Sequence, residues 1–201
     1  GSASAGLHIC SGKEDVQKGI EHNLENHPHY ATQEKGLLVQ ERIVGDEYVV
    51  NTVSCNGRHA ITDVWMYQKI CLNTDGNIYD CMTLVTELEP KHIALCEYAL
   101  SAVEALGVKY GPTHGEYMMD EKGPVLIECG ARPMGAGVPD SFMDKCVGHH
   151  ITDITLDAYL NPEAFDEFAA KSYRPNCPAI IKFRIARRDR SVCDVPLHEI
   201  A

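Results

Sequence analysis

Glu116 and Glu128 flank the polar run DEKG in the stretch GPTHGEYMMDEKGPVLIECGAR, residues 111–132. Apolar residues on both sides of a turn signal read as a β-hairpin. Facing residues in an antiparallel hairpin have a constant sum of positions, so a turn centred on Lys122 pairs Glu116 directly with Glu128. The same register sets Met118 against Leu126 on their face, and Tyr117 against Ile127 and Met119 against Val125 on the other, as in strands buried on both sides. Cross-strand partners hold their Cβ atoms about 4.5–5.5 Å apart, a separation at which like charges are destabilising. Two carboxylates so placed share a proton, meet a cation or lie open to water. Mg²⁺, which takes oxygen ligands, is the simplest such cation. A register one or two residues off leaves Glu116 instead as an exposed strand residue without a partner.

Four further charges have a chemical and a bland reading. Arg132 follows the hairpin closely enough to pair with a carboxylate, or with an anion brought by a metal, and is otherwise a surface arginine. Lys69 ends the apolar run VWMYQKI, where a cation is costly unless a phosphate or carboxylate meets it or it snorkels to water. Glu41 and Glu47 flank a turn in QERIVGDE and by default are solvated.

The elements that must position these groups read as α+β. Residues 11–27 carry a helix signature, with acidic residues in the first turn. LLVQERIVGDEYVVNTVS reads as two strands joined near Val44-Gly45-Asp46, and HAITDVWMYQKI forms a third strand after the turn signal Asn56-Gly57. Residues 73–82 are polar and read as loop. Apolar spacing predicts a helix over 90–106, then the hairpin, a second long helix over 140–160, a short helix in EAFDEFAAKSY and a strand in CPAIIKFRIARRD. The order β-β-β-α-β-β-α implies a mostly antiparallel sheet with helices packed on one face.

Composition narrows the function. A net charge of −11 opposes a nucleic-acid or anionic-membrane surface. No run approaches the roughly 18 apolar residues of a membrane span. The 9 cysteines show no paired close spacing, so they read as free thiols packed as small hydrophobes in a reducing cytoplasm. The 10 histidines scatter, and His149-His150 after a glycine suits capping or surface roles.

Three of these stretches together resemble the ATP-grasp superfamily, and within it the amino-acid (dipeptide) ligase and carnosine-synthase-like branch. LLVQERIVGDEYVV looks like the family's hinge strand and G-x-E turn, HAITDVWMYQK like the strand that ends in a phosphate-facing lysine, and GPTHGEY with LIECGAR like the metal-binding hairpin. The resemblance implies the C-terminal part of an ATP-grasp domain. Residues 1–175 would form the partial domain and residues 176–201 the start of a C-terminal extension, cut short, so the chain reads as a fragment, inactive alone.

The resemblance also implies roles. Gln40, Glu41 and Ile43 would take the adenine and Glu47 the ribose, while Ser4, Ala5 and Gly6 would end the phosphate-covering loop. Lys69 would neutralise phosphate charge, Glu116 and Glu128 would hold Mg²⁺ or Mn²⁺, and Arg132 would bind the acyl phosphate or a substrate carboxylate. Gly130 stands where many relatives place a third, asparagine ligand. The implied activity is ATP-dependent amide formation from a carboxylate and an amine, amino acids among them, in a protein compatible with a homodimer. Its rivals are a carboxylating or purine-biosynthetic ATP-grasp enzyme and a non-catalytic nucleotide-binding fragment.

Overall fold

The structure, a computed structural model, describes residues 6–26, 37–73, 76–135 and 137–184. Helix α1 (Lys13–Asn26) leads to three strands, β1 (Asp46–Cys55), β2 (Arg58–Asn73) and β3 (Gly76–Leu84). Helix α2 (Pro90–Ala105) and the hairpin β4 (Gly111–Asp120) and β5 (Gly123–Gly130) come next. Helices α3 (Asp140–Val147), α4 (Ile151–Leu160) and α5 (Pro162–Ala169) precede the short strand β6 (Ile180–Lys182). The strands form an antiparallel sheet in the order β5-β4-β1-β2-β3-β6. The α+β class and the antiparallel sheet are as the sequence implies.

β1 lies inside the sheet and is buried from Tyr48 to Cys55, so it needs cover on both faces. Alternation sends Tyr48 and Val50 to one face, where with Val64 and Tyr117 they meet Leu95, Cys96 and Ala99 of α2. Burying one leucine such as Leu95 contributes about 2 kcal/mol. On the opposite face Val49, Trp65 and Met82 pack on Met143, Cys146 and Val147 of α3. Further along, Val53, Cys55 and Ala60 meet Ile154, Ala158 and Phe165 of α4 and α5. The helices therefore divide between two faces rather than sharing the one that the pattern suggested.

Three boundaries differ from the sequence reading. Residues 37–44 form no strand, because β1 already has β2 and β4 on its two edges. Most of residues 73–82, expected as loop, belong to β3, which buries Cys81, Met82 and Leu84 despite its polar start. The expected single helix over 140–160 is two helices, since Gly148 ends α3 in the left-handed region at φ +83° and the chain restarts at Ile151. The Asn56-Gly57 turn forms as expected, both residues at positive φ.

Candidate functional site

The hairpin pairs Glu116 with Glu128, by a route the sequence did not give. Its turn pairs Asp120 with Gly123, one position short of the expected register, and pairs Tyr117 with Leu126. A bulge between Glu116 and Tyr117 then restores the expected pairing above it, with Ile127 as the extra residue. Nor are both strands buried on both sides: β5 is the sheet edge, half-buried along its length with Glu128 exposed.

Glu116 aligns with Val49 of β1, two residues beyond Glu47, and so shares the α3 side of the sheet with Glu47 and Lys69. Gly45 makes the entry to β1 possible: a Cβ there would stand 2.0 Å from the Met119 carbonyl oxygen, so only glycine lets the chain pass β4 this closely. Lys69 Nζ donates to Glu47 Oε1 at 2.6 Å, each side chain only 16% exposed. The same ammonium stands 4.5 Å from the Tyr79 ring centre, and the Tyr67 and Tyr79 rings meet edge to face.

The charges explain the titration of each group. Burial raises the Glu47 pKa above its ordinary value, and the Glu116 and Glu128 charges add to it against the Lys69 hydrogen bond. Burial pushes Glu116 the same way, but the His114 hydrogen bond and the charges of Lys69 and Arg132 outweigh it and hold Glu116 below the ordinary value. Burial opposes the Lys69 charge, yet the bond to Glu47 holds the ammonium above its usual range. The two partners of this ion pair both move upward because burial, with the Glu116 and Glu128 charges added to it, outweighs what Lys69 does for Glu47. The pair sits in a field with more negative than positive charge.

Arg132 is exposed, donates to the Pro133 carbonyl at 2.9 Å, and folds back over Gly130. A Cβ on Gly130 would meet Arg132 Cγ at 3.4 Å. That is ordinary contact distance, and the Arg132 charge reaches Glu116 from there.

The remaining sequence-predicted residues are not gathered here. Gln40 and Glu41 are exposed and Ile43 half-buried in the non-strand segment before β1. Gly6 is bonded to α1, its carbonyl accepting from Asn23 Nδ2 at 2.8 Å, and Ser4 and Ala5 lie outside the described residues.

Sequence reasoning missed a row of buried polar residues beside Glu116. Asp63, Asn51 and His114 stand in register across β2, β1 and β4. The signal was present as polar residues inside apolar strands, and as His114 and Glu116 two apart on one strand. Tyr79 was missed because its strand was read as loop.

An antiparallel sheet carrying paired acids beside a half-buried lysine defines a class that the family comparison names. The ATP-grasp domain model matches residues 1–140, and the chain belongs to the ATP-grasp family. Dapdiamide A synthase of Enterobacter agglomerans is 30% identical over 160 residues, covering 80% of this chain and 37% of that protein. Among solved structures, the L-amino acid ligase of Bacillus licheniformis superposes with TM-score 0.65 at 21% identity, over 85% of this chain and 40% of its own. The biotin carboxylase domain of the Hydrogenobacter thermophilus 2-oxoglutarate carboxylase, in complex with MgADP and bicarbonate, gives 0.62 at 16%, over 90% and 38%. The last two likenesses speak for the fold. The chain spans about two fifths of the length of these relatives.

Proposed function

We propose that the protein to which this chain belongs is an ATP-dependent carboxylate–amine ligase acting on amino acids. The observation that carries this reading is the Glu116–Glu128 pair beside the Lys69–Glu47 pair, in an ATP-grasp chain with 30% identity to Dapdiamide A synthase. A substrate carboxylate attacks the ATP γ-phosphorus, and ADP leaves. The amine then attacks the acyl-phosphate carbon, expels phosphate, loses a proton and forms the amide.

The donor set fits Mg²⁺. Hard carboxylate oxygens, excess negative charge and a Glu47 pKa raised by burial and by its acid neighbours all favour a divalent cation. Among the described residues no three His, Cys, Asp or Glu form a ready-made cage, which suits an ion held by one or two carboxylates and substrate phosphates. Glu116 and Glu128 would hold it, and when bound it supplies charge neutralisation at the phosphates.

Lys69, already ionised, places a positive charge beside the transferring group, and Arg132 presents a planar fork to the acyl phosphate or to a substrate carboxylate. Gln40, Glu41 and Ile43 would line the adenine side, Glu47 the ribose, and Ser4, Ala5 and Gly6 the phosphate loop. The free thiols among the described residues accord with a cytoplasmic setting, and no described helix is long and apolar enough to cross a membrane.

The test is product analysis of the full-length protein with amino-acid pairs. ADP and phosphate released only when amino acids are present is the expected result. Amino-acid-dependent AMP and pyrophosphate, or ADP release driven by bicarbonate, overturns the proposal.

A further inference from the structure

We propose that Tyr79 is a positioning residue for Lys69, and that a bulge in β3 sets its ring where a regular ladder would put Asp80. The inference rests on the reading of Lys69 as the lysine that neutralises nucleotide phosphate. Going back along β3, Met82 pairs with Tyr67 and Cys81 with Gln68, so an unbroken ladder would pair Asp80 with Lys69. The register shifts between Gln68 and Lys69, and Tyr79 faces Lys69 instead. Alternation from Met82, which packs on the α3 side, would also turn Asp80 to that side. The bulge turns Tyr79 there, where it joins Tyr67, Met82 and Phe183.

The displaced residue is held away. Lys182 Nζ donates to the Asp80 carboxylate, and the Phe183 N–H donates to the Asp80 carbonyl at 2.9 Å. The Phe183 ring lies 5.8 Å from that of Tyr79, and Tyr67 meets Tyr79 edge to face at 5.1 Å, so two rings hold the tyrosine in place. Lys69 Nζ stands 4.5 Å from the centre of the Tyr79 ring and 5.9 Å from that of Tyr67. The exchange of Asp80 for Tyr79 matters because Lys69 already donates to Glu47 and feels the Glu116 charge. A further acid would leave the ammonium little charge to offer a phosphate. An aromatic face attracts an ammonium through its quadrupole and carries no net charge. Tyr79 thus fixes the ammonium without neutralising it. An ammonium has three N–H donors and Glu47 Oε1 takes one, so donors remain for a phosphate oxygen.

Calorimetric titration of the full-length protein with MgATP tests the assignment. Tyr79→Leu is expected to weaken MgATP about 10-fold, the loss of one cation–π contact shielded from water. Tyr79→Phe keeps the ring face and is expected to stay within about twofold of wild type. Tyr79→Asp restores the carboxylate that the bulge excludes and is expected to weaken MgATP more than Tyr79→Leu does. In a Lys69→Met background, Tyr79→Leu is expected to have no further effect, since the two residues act as one unit. Thermal unfolding checks that each variant folds, and Tyr79→Met stands in if Tyr79→Leu does not. An equal loss from Tyr79→Leu in both backgrounds makes Tyr79 a packing residue and overturns the proposal. A Tyr79→Phe loss as large as that of Tyr79→Leu also overturns it, by assigning the role to the hydroxyl. So does unchanged affinity in Tyr79→Leu beside a loss in Lys69→Met. Unchanged affinity in Lys69→Met, or no affinity in wild type, overturns the reading of Lys69 beneath it.

Discussion

Between α3 and α4, the ring of His150 stands 2.9 Å from Asp144, 3.3 Å from Asp153 and 3.9 Å from Asp140. On the sheet, Lys69 faces Glu47 and Glu116, with Glu128 paired beside them. Each place gathers three acids about one cation, but their surroundings differ. The three aspartates are more than half exposed, and Asp140 and Asp153 sit in first helical turns, where the helix dipole favours negative charge. Water and dipole make that cluster tolerable without further help. Glu47 and Glu116 have neither helix terminus nor free access to water, and the fold leaves Glu47 with a raised pKa. Acids with local compensation are tolerated where they stand, whereas Glu47 and Glu116 are crowded against their own charge.

The largest stability effect expected from this contrast is that of Lys69→Met. Removing one partner of a fully buried pair costs about 3–5 kcal/mol. These side chains keep some contact with water, so about 2 kcal/mol at pH 7 is expected. The deficit should shrink toward pH 5. A glutamate whose folded pKa is raised loses stabilisation as pH rises through that value, and Glu47 without Lys69 is raised further. Urea unfolding at both pH values measures this, and a deficit no larger than that of a His150 variant breaks the contrast.

Glu116→Gln comes next, with stability at pH 7 expected within about 1 kcal/mol of wild type. The weakened His114 bond is offset by relief of Glu47 from a neighbouring charge. The sign in acid is opposite to that of Glu47. Glu116 lies below the ordinary glutamate value of 4.5, so its contribution is present above 4.5 and fades as pH falls through the lower folded value. Wild type should therefore lose more stability than the variant below pH 4.5. In the same melts, Mg²⁺-dependent stabilisation by ATP should disappear from the variant, and its survival would remove Glu116 from the metal site.

The contrast also shows what was legible in the residues. Glu116, Glu128 and Lys69 stood out because a charge inside an apolar strand pattern contradicts its own setting. The hairpin pairing was reached through two errors that cancel: the turn is one position short and the bulge adds one residue back. Bulges depend on how an edge strand twists against its neighbour, which a periodic pattern does not carry. The expected three strands before α2 were also reached by compensation, since 37–44 dropped out and β3 took the third place. For Lys69 the sequence left a carboxylate or phosphate partner and snorkelling to water both open, and the lysine holds Glu47. His114 stayed silent because its partners, Asn51 and Asp63, are distant in sequence and meet only through sheet order.

His150→Gln carries the smallest expected effect and tests the exposed half of the comparison. The hydrogen bond to Asp144 raises the His150 pKa above 6.5 against a smaller burial effect, and Asp153 and Asp140 add to the rise. A raised histidine contributes stability that is fully present below pH 6.5 and is lost as pH rises through the folded value. With its partners largely solvated, the contribution should be about 0.5 kcal/mol. The variant should therefore be less stable than wild type at pH 6 and match it at pH 9. In 1 M salt the pH 6 deficit should largely vanish, since the Debye length falls to about 3 Å, while that of Lys69→Met persists within the sheet. A His150→Gln deficit that survives at pH 9 or in salt would mean that the ring acts by packing, and the two clusters would then differ in kind rather than in degree of burial.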